Sequence, residues 1–120
     1  MAAVEKDLLI EQGAKFTHTF IRRDSEQVPI SLSGFDALMH IREAIDSDNI
    51  LETLSTSNGR IVIEAASETG RIDLIIGATD TAAMVWVSGV YDLELIEIAD
   101  TENVIRLVKG GFTVDPEVTR

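Results

Sequence analysis

Polarity alternates with period two along nearly the whole chain, and this pattern most restricts what the chain can fold into. Phe16, His18, Phe20 and Arg22 alternate with Lys15, Thr17, Thr19 and Ile21. Ala37, Met39 and Ile41 alternate with Leu38, His40 and Arg42, and Ile61 and Ile63 flank Val62. Ile72, Leu74 and Ile76 interleave with Asp73 and Ile75. Tyr91, Leu93 and Leu95 interleave with Asp92, Glu94 and Ile96, and Ile105 and Leu107 precede Phe112 and Val114. A side-chain period of two places alternate residues on opposite faces of a pleated strand, so each segment offers one greasy face. The spacing predicts six strands from these segments, with shorter ones at Leu8–Glu11, Pro29–Leu32 and Leu51–Leu54. Strands about every 8–12 residues, joined by polar turns, predict an antiparallel all-β sandwich rather than βαβ units.

The punctuation supports that reading. Asp24-Ser25-Glu26-Gln27, Asn58-Gly59, Glu68-Thr69-Gly70 and Asp100-Thr101-Glu102-Asn103 are turn-forming breaks. Asn58-Gly59 is the strongest hairpin signal, because both residues accept positive φ. Ala78-Thr79-Asp80-Thr81-Ala82-Ala83-Met84 breaks the alternation, with a Thr/Asp cap candidate ahead of good helix formers. It predicts one short helical turn around residues 79–84, crossing from one sheet to the other. Tyr91, two residues before Leu93, is placed like the tyrosine of a tyrosine corner. Gly110-Gly111, inside an extended segment, suggests a bulge or a close backbone approach; a bulge that re-registers the last strand is the expected reading, with a binding role as the alternative.

Charge and composition narrow the function classes. The 120 residues include 10 Lys plus Arg against 21 Asp plus Glu, a formal net charge of -11, which phosphate backbones repel. There are no cysteines, so disulfides, thiol nucleophiles and cysteine metal sites are excluded. The longest apolar run, Ala82 to Val87, is far short of the roughly 20 residues of a spanning helix. The first residues lack the basic start and apolar stretch of a secretory signal. The chain is therefore expected to stay in the cytosol where it is made, or to leave it only inside a larger assembly such as a virion.

Candidate chemistry is sparse. His18 and His40 sit mid-strand, without a third ligand or a nucleophile motif beside them, and Gly-x-Ser-x-Gly is absent. Asp46-Ser47-Asp48-Asn49 resembles the start of a calcium loop but lacks the later glycine and glutamate. Asp92, Glu94 and Glu97 are expected on the outer side of one strand, with Arg106 on its hairpin partner, as a solvated or docking surface. Trp86 is the only tryptophan, either plugging the end of the sandwich or exposed as a contact. Trp86, Asp92, Glu94 and Glu97 are thus the candidate interface residues. No catalytic residue, metal ligand or cofactor site is singled out, and the chain is expected not to be an enzyme.

Several segments, read in order, resemble small proteins encoded among the tail, baseplate and tail-fibre genes of tailed bacteriophages and prophages. They are Leu8-Leu9-Ile10-Glu11-Gln12-Gly13-Ala14-Lys15-Phe16, Ile30-Ser31-Leu32-Ser33-Gly34-Phe35-Asp36-Ala37 and Met39-His40-Ile41-Arg42. Asn58-Gly59-Arg60-Ile61 and Ala78-Thr79-Asp80-Thr81-Ala82-Ala83 follow. Gly89-Val90-Tyr91-Asp92-Leu93-Glu94-Leu95 and Phe112-Thr113-Val114-Asp115-Pro116-Glu117-Val118-Thr119-Arg120 complete the series. The resemblance implies an immunoglobulin-like β-sandwich that serves as a virion adaptor or accessory component, without catalytic residues. Its implied partners are other virion proteins or copies of itself, with neither nucleic acid nor membrane involved. A soluble module for calcium or carbohydrate on the same scaffold is the other function considered.

The expected organisation is a flexible arm at residues 1–7, one sandwich domain at 8–115 and a tail at 116–120. On this reading either terminus can order on a partner, and removing Met1–Asp7 should leave folding intact but weaken incorporation into particles.

Overall fold

The computed structural model describes residues 3–63 and 69–119. The strands are β1 (Val4–Glu5), β2 (Leu8–Glu11), β3 (Phe16–Ile21), β4 (Phe35–Arg42), β5 (Ile50–Ser55), β6 (Ile61–Ile63), β7 (Arg71–Ile76), β8 (Ser88–Glu97) and β9 (Val104–Asp115). One helical turn, α1 (Ala78–Ala82), lies between β7 and β8. One sheet runs β1–β9–β8–β4–β5, with β2 also on β9, and the other runs β3–β7–β6. In chain order, β3 to β9 occupy the B, C, C′, D, E, F and G positions of a variable-type immunoglobulin domain. The protein is an immunoglobulin-like β-sandwich.

The alternation does what it predicts. Ala37, Met39 and Ile41 of β4 and Tyr91, Leu93 and Leu95 of β8 are buried, and they face Ile72, Leu74 and Ile76 of β7 across the core. Phe112 is fully buried at one end, with Phe16, Tyr91 and Trp86 around it at ring-centroid distances of 5.5, 5.4 and 6.3 Å. Such tilted and edge-on pairs stabilise beyond their area alone.

Connectivity departs from expectation in several places. Asn58-Gly59 does not close a hairpin: β5 and β6 belong to different sheets, so this turn carries the chain across the sandwich. Gly59 takes φ +80 there, and Asn58 Oδ1 accepts from the backbone N–H of Ser55 and Arg60 at 3.0 Å each. Arg60 then bonds Glu52 at 3.1 Å and Asp80 at 3.2 Å, tying β5 to α1. The helical turn crosses between sheets as predicted, but its N-cap is Gly77, with no side-chain cap bond. Thr81 is instead an anchor. Fully buried, its hydroxyl donates to Ala14 O at 2.8 Å and accepts from Gly13 N–H at 3.0 Å.

Pro29–Leu32 forms no strand, only an isolated bridge from Pro29 to Arg23, because proline brings no N–H to a ladder. Leu32 is nevertheless a core residue. Of the predicted turn at Glu68-Thr69-Gly70, Glu68 lies outside the described residues.

The N-terminal segment is not a free arm. β1 and β2 run parallel to β9 in one register, Val4 beside Val108 and Leu8 beside Phe112, so the sandwich is not wholly antiparallel. Between them, Lys6 N–H donates to Lys109 O at 2.9 Å and Asp7 Oδ1 accepts from Gly111 N–H at 2.9 Å. Gly110-Gly111 is therefore the place of close approach and not a bulge: pairing with β8 continues through both glycines, and the register shifts at Leu93/Glu94. A Cβ on Gly110 would lie 2.2 Å from Lys6 O. Tyr91 completes the join, its hydroxyl donating to Lys6 O at 2.5 Å. It therefore makes no tyrosine corner, which would bond a few residues upstream. Burial, then the nearby Asp7 charge, pushes the Tyr91 phenol far above its ordinary pKa and keeps the donor proton in place. The tail is also held, since Glu117 N–H donates to Gln12 Oε1 at 2.8 Å.

Candidate docking face

The outer face of the larger sheet is built by even-numbered residues of β4 and β8, whose odd neighbours fill the core. Pairing aligns His40 with Asp92 and Lys109, and Lys109 with Glu5. The next row aligns Leu38 with Glu94 and Arg106, and the row on the other side aligns Arg42 with Val90 and Gly111. A shallow concavity of about 540 Å³ lies on this face, lined by His40, Arg42, Ile45, Asp92, Arg106 and Lys109 among others. Arg106 Nε meets Asp92 Oδ2 at 3.4 Å, and Lys109 Nζ meets Glu5 Oε1 at 3.8 Å. Both pairs are well exposed, so each adds at most about 1 kcal/mol to stability and remains available to a partner.

Asp92 and Glu94 occupy the outer face as expected, with Arg106 as the cross-strand cation. Glu97 does not join them. It shares the parity of Tyr91, Leu93 and Leu95, and lies opposite Phe35 at the strand end, where its N–H donates to Asn103 O. Trp86 belongs to neither group. It is partly buried, packs edge-on against Phe112 at 84° and closes one end of the core. Its Nε1 is buried without a hydrogen-bond partner among the described residues. The loop carrying it is held by Gln12 Nε2 donating to Met84 O at 2.9 Å and by Val114 N–H donating to Val87 O at 2.8 Å.

Sequence reasoning missed His40, Arg42 and Lys109 as members of this face. Their parity along each strand was visible, but strand register, which brings them together, was not.

Asp46 and Asp48 are exposed in the β4–β5 loop. Among the described residues no group of three or more His, Asp or Glu side chains is arranged to hold a metal. Arg42 Nη1 instead donates to Ser47 O at 3.1 Å, placing a cation on that loop.

The two histidines lie on different sheets. His40 is on the outer face, whereas His18 is half-buried on the inner side of β3, its ring 4.6 Å from Phe20. Burial, then repulsion from Lys6, lowers the His18 pKa below its ordinary 6.5. Above that value the imidazole is neutral in both states and stability is unaffected. Below it the unfolded chain takes up a proton that the folded chain resists, so stability falls with falling pH. The melting temperature of the wild type is expected to drop more steeply below about pH 6.5 than that of His18→Gln; parallel curves would exclude His18 as the cause.

No family model matches the chain, and no curated protein matches it in sequence. Among solved structures it is similar to a chain described as Tim-1, at 16% identity and a TM-score of 0.47, with 100% of this chain and 99% of that one covered. The immunoglobulin-like assignment rests on strand order and pairing, to which a likeness of that size adds no functional argument.

Proposed function

We propose that this chain is a non-catalytic structural protein of a bacteriophage virion, an adaptor or accessory component of the tail or baseplate that acts by protein–protein association. The observation that carries the reading is the ordered resemblance of segments from Leu8 to Arg120 to small proteins encoded among tail genes. The architecture is compatible with such a role, because a small sandwich offers sheet faces and edges to neighbours. Its outer face presents mixed, half-exposed charge around Asp92, and Val85 and Val87 are exposed beside Trp86. Partners on this reading are other virion proteins, and the finished protein resides in the particle.

The test is to purify particles produced by a host carrying the gene and quantify the chain in them by mass spectrometry, with antibody labelling to locate it. A fixed number of copies per particle at one position on the tail is the expected result. Particles that assemble and infect normally without the chain in them would overturn the proposal.

A further inference from the structure

We propose that the unpaired edge of β3 is a strand-addition site for an acidic, extended segment of a partner protein. The inference stands on the edge itself and does not require the virion reading. β3 terminates the three-stranded sheet, whereas the corresponding immunoglobulin sheet has a fourth strand beyond this position. Here the N-terminal segment runs along β9 instead, and among the described residues none pairs with the free side of β3.

The free backbone groups can be assigned. Ile75 N–H donates to Arg60 O, so the odd residues of β7 turn toward β6 and its even residues bond β3. The paired residues of β3 are then Phe16, His18 and Phe20, opposite Ile76, Leu74 and Ile72. The N–H and C=O groups of Thr17, Thr19 and Ile21 point to the open side, as a template for another strand. The edge strand β5 differs, because two of its outward groups are capped from within: Thr53 O accepts from Asn58 Nδ2 at 2.9 Å, and Ser55 N–H donates to Asn58 Oδ1. A cleft of about 450 Å³ lies beside the end of β3, lined by Val4, Phe20, Ile30, Ile105 and Leu107, and can receive alternate apolar side chains of an added strand.

Charge selects the occupant. From Lys15 to Arg23 the chain carries Lys15, Arg22 and Arg23 and no carboxylate, within a protein of net charge -11. Lys6 faces the same seam. Among the described residues none of these four cations is in an ion pair. The carboxylates of Asp7 and Asp24 are turned onto backbone N–H groups of Gly111 and of Glu26 and Val28, and Glu11 stands on β2. Antiparallel pairing of β3 with β3 of a second copy, centred on Thr19, would set Lys15 against Arg23 at both ends. Like charges directly opposed are destabilising, which disfavours self-pairing and favours a strand flanked by carboxylates.

The test uses the full ¹⁵N-labelled chain and two synthetic peptides of alternating valine and threonine, one with glutamates at both ends and one with lysines. The glutamate peptide is expected to shift the amides of Thr17, Thr19 and Ile21 and slow their hydrogen exchange, and to bind about tenfold or more tighter than the lysine peptide. The double variant Lys15→Glu/Arg23→Glu should reverse the preference; both side chains are exposed, and an unchanged melting curve would confirm that it folds. Amide shifts away from β3, equal affinity for the two peptides, or dimerisation of the free chain through β3 would each overturn the proposal.

Discussion

Replacing Phe112 with alanine is expected to destabilise the protein by about 3–5 kcal/mol, the range for truncating a buried aromatic. Phe112 is fully buried on β9, and its ring meets Phe16, Tyr91 and Trp86. These neighbours come from β3, β8 and the loop after α1, so the ring couples both sheets and the crossover at one end of the sandwich. The pleated backbone holds the surrounding rings apart, so the vacated space cannot close fully, and cavity loss adds to transfer loss. Urea denaturation followed by Trp86 fluorescence would measure it, since the indole packs against the altered ring. A loss below about 1 kcal/mol would mean that the end of the core repacks and that Phe112 is not its organising side chain.

Gly110→Ala is the second large effect, and Gly111→Ala is its control. A Cβ at residue 110 would meet Lys6 O at 2.2 Å and Lys6 C at 2.7 Å, both backbone atoms that no side-chain rotation can move aside. At Gly111 the nearest atom is Asp7 Oδ1 at 3.4 Å, an ordinary contact. Displacing Lys6 breaks its bond to Lys109 O, leaves the Tyr91 hydroxyl without its acceptor and pulls Asp7 from Gly111 N–H. With each net bond worth about 1 kcal/mol and a buried unsatisfied donor costing about 1–3, the expected loss is about 3 kcal/mol. Gly111→Ala should lose less than about 1 kcal/mol. Calorimetric melting of both variants checks this, and similar melting temperatures would contradict the close approach. The same geometry revises the expected outcome of removing Met1–Asp7: the truncated chain should be destabilised rather than spared, because Tyr91 loses its acceptor.

Much of the strand inventory was legible because alternation is a local property. Met39, Leu74, Leu93 and Leu95 could be assigned to the interior from their neighbours alone, since a pleat gives a residue no choice of face once its strand is set. Turn residues were equally plain as turns. What Asn58-Gly59 connects was not, because a positive-φ turn reverses or redirects the chain in the same way whether the next strand joins the same sheet or the opposite one. Glu97 was misplaced for a simpler reason: its acidity outweighed its parity, although the alternation of Tyr91, Leu93 and Leu95 already put it on the inner side. The docking face around Asp92 was only half visible, because Asp92 and Glu94 share a strand while Arg42 and Lys109 reach them through register.

The amino-acid order by itself determined most of the extended segments, which of their side chains turn inward, and that a single helical turn interrupts the series, because each depends on residues within a few positions of one another. Tertiary structure alone decided that the first strand lies parallel to the last, that Gly110 exists to let Lys6 approach, and that β3 is left with an open edge. Those outcomes join residues about a hundred positions apart, such as Tyr91 with Lys6 and Val4 with Val108. Which distant partners meet is settled by how two sheets close over one core, and no local pattern encodes it.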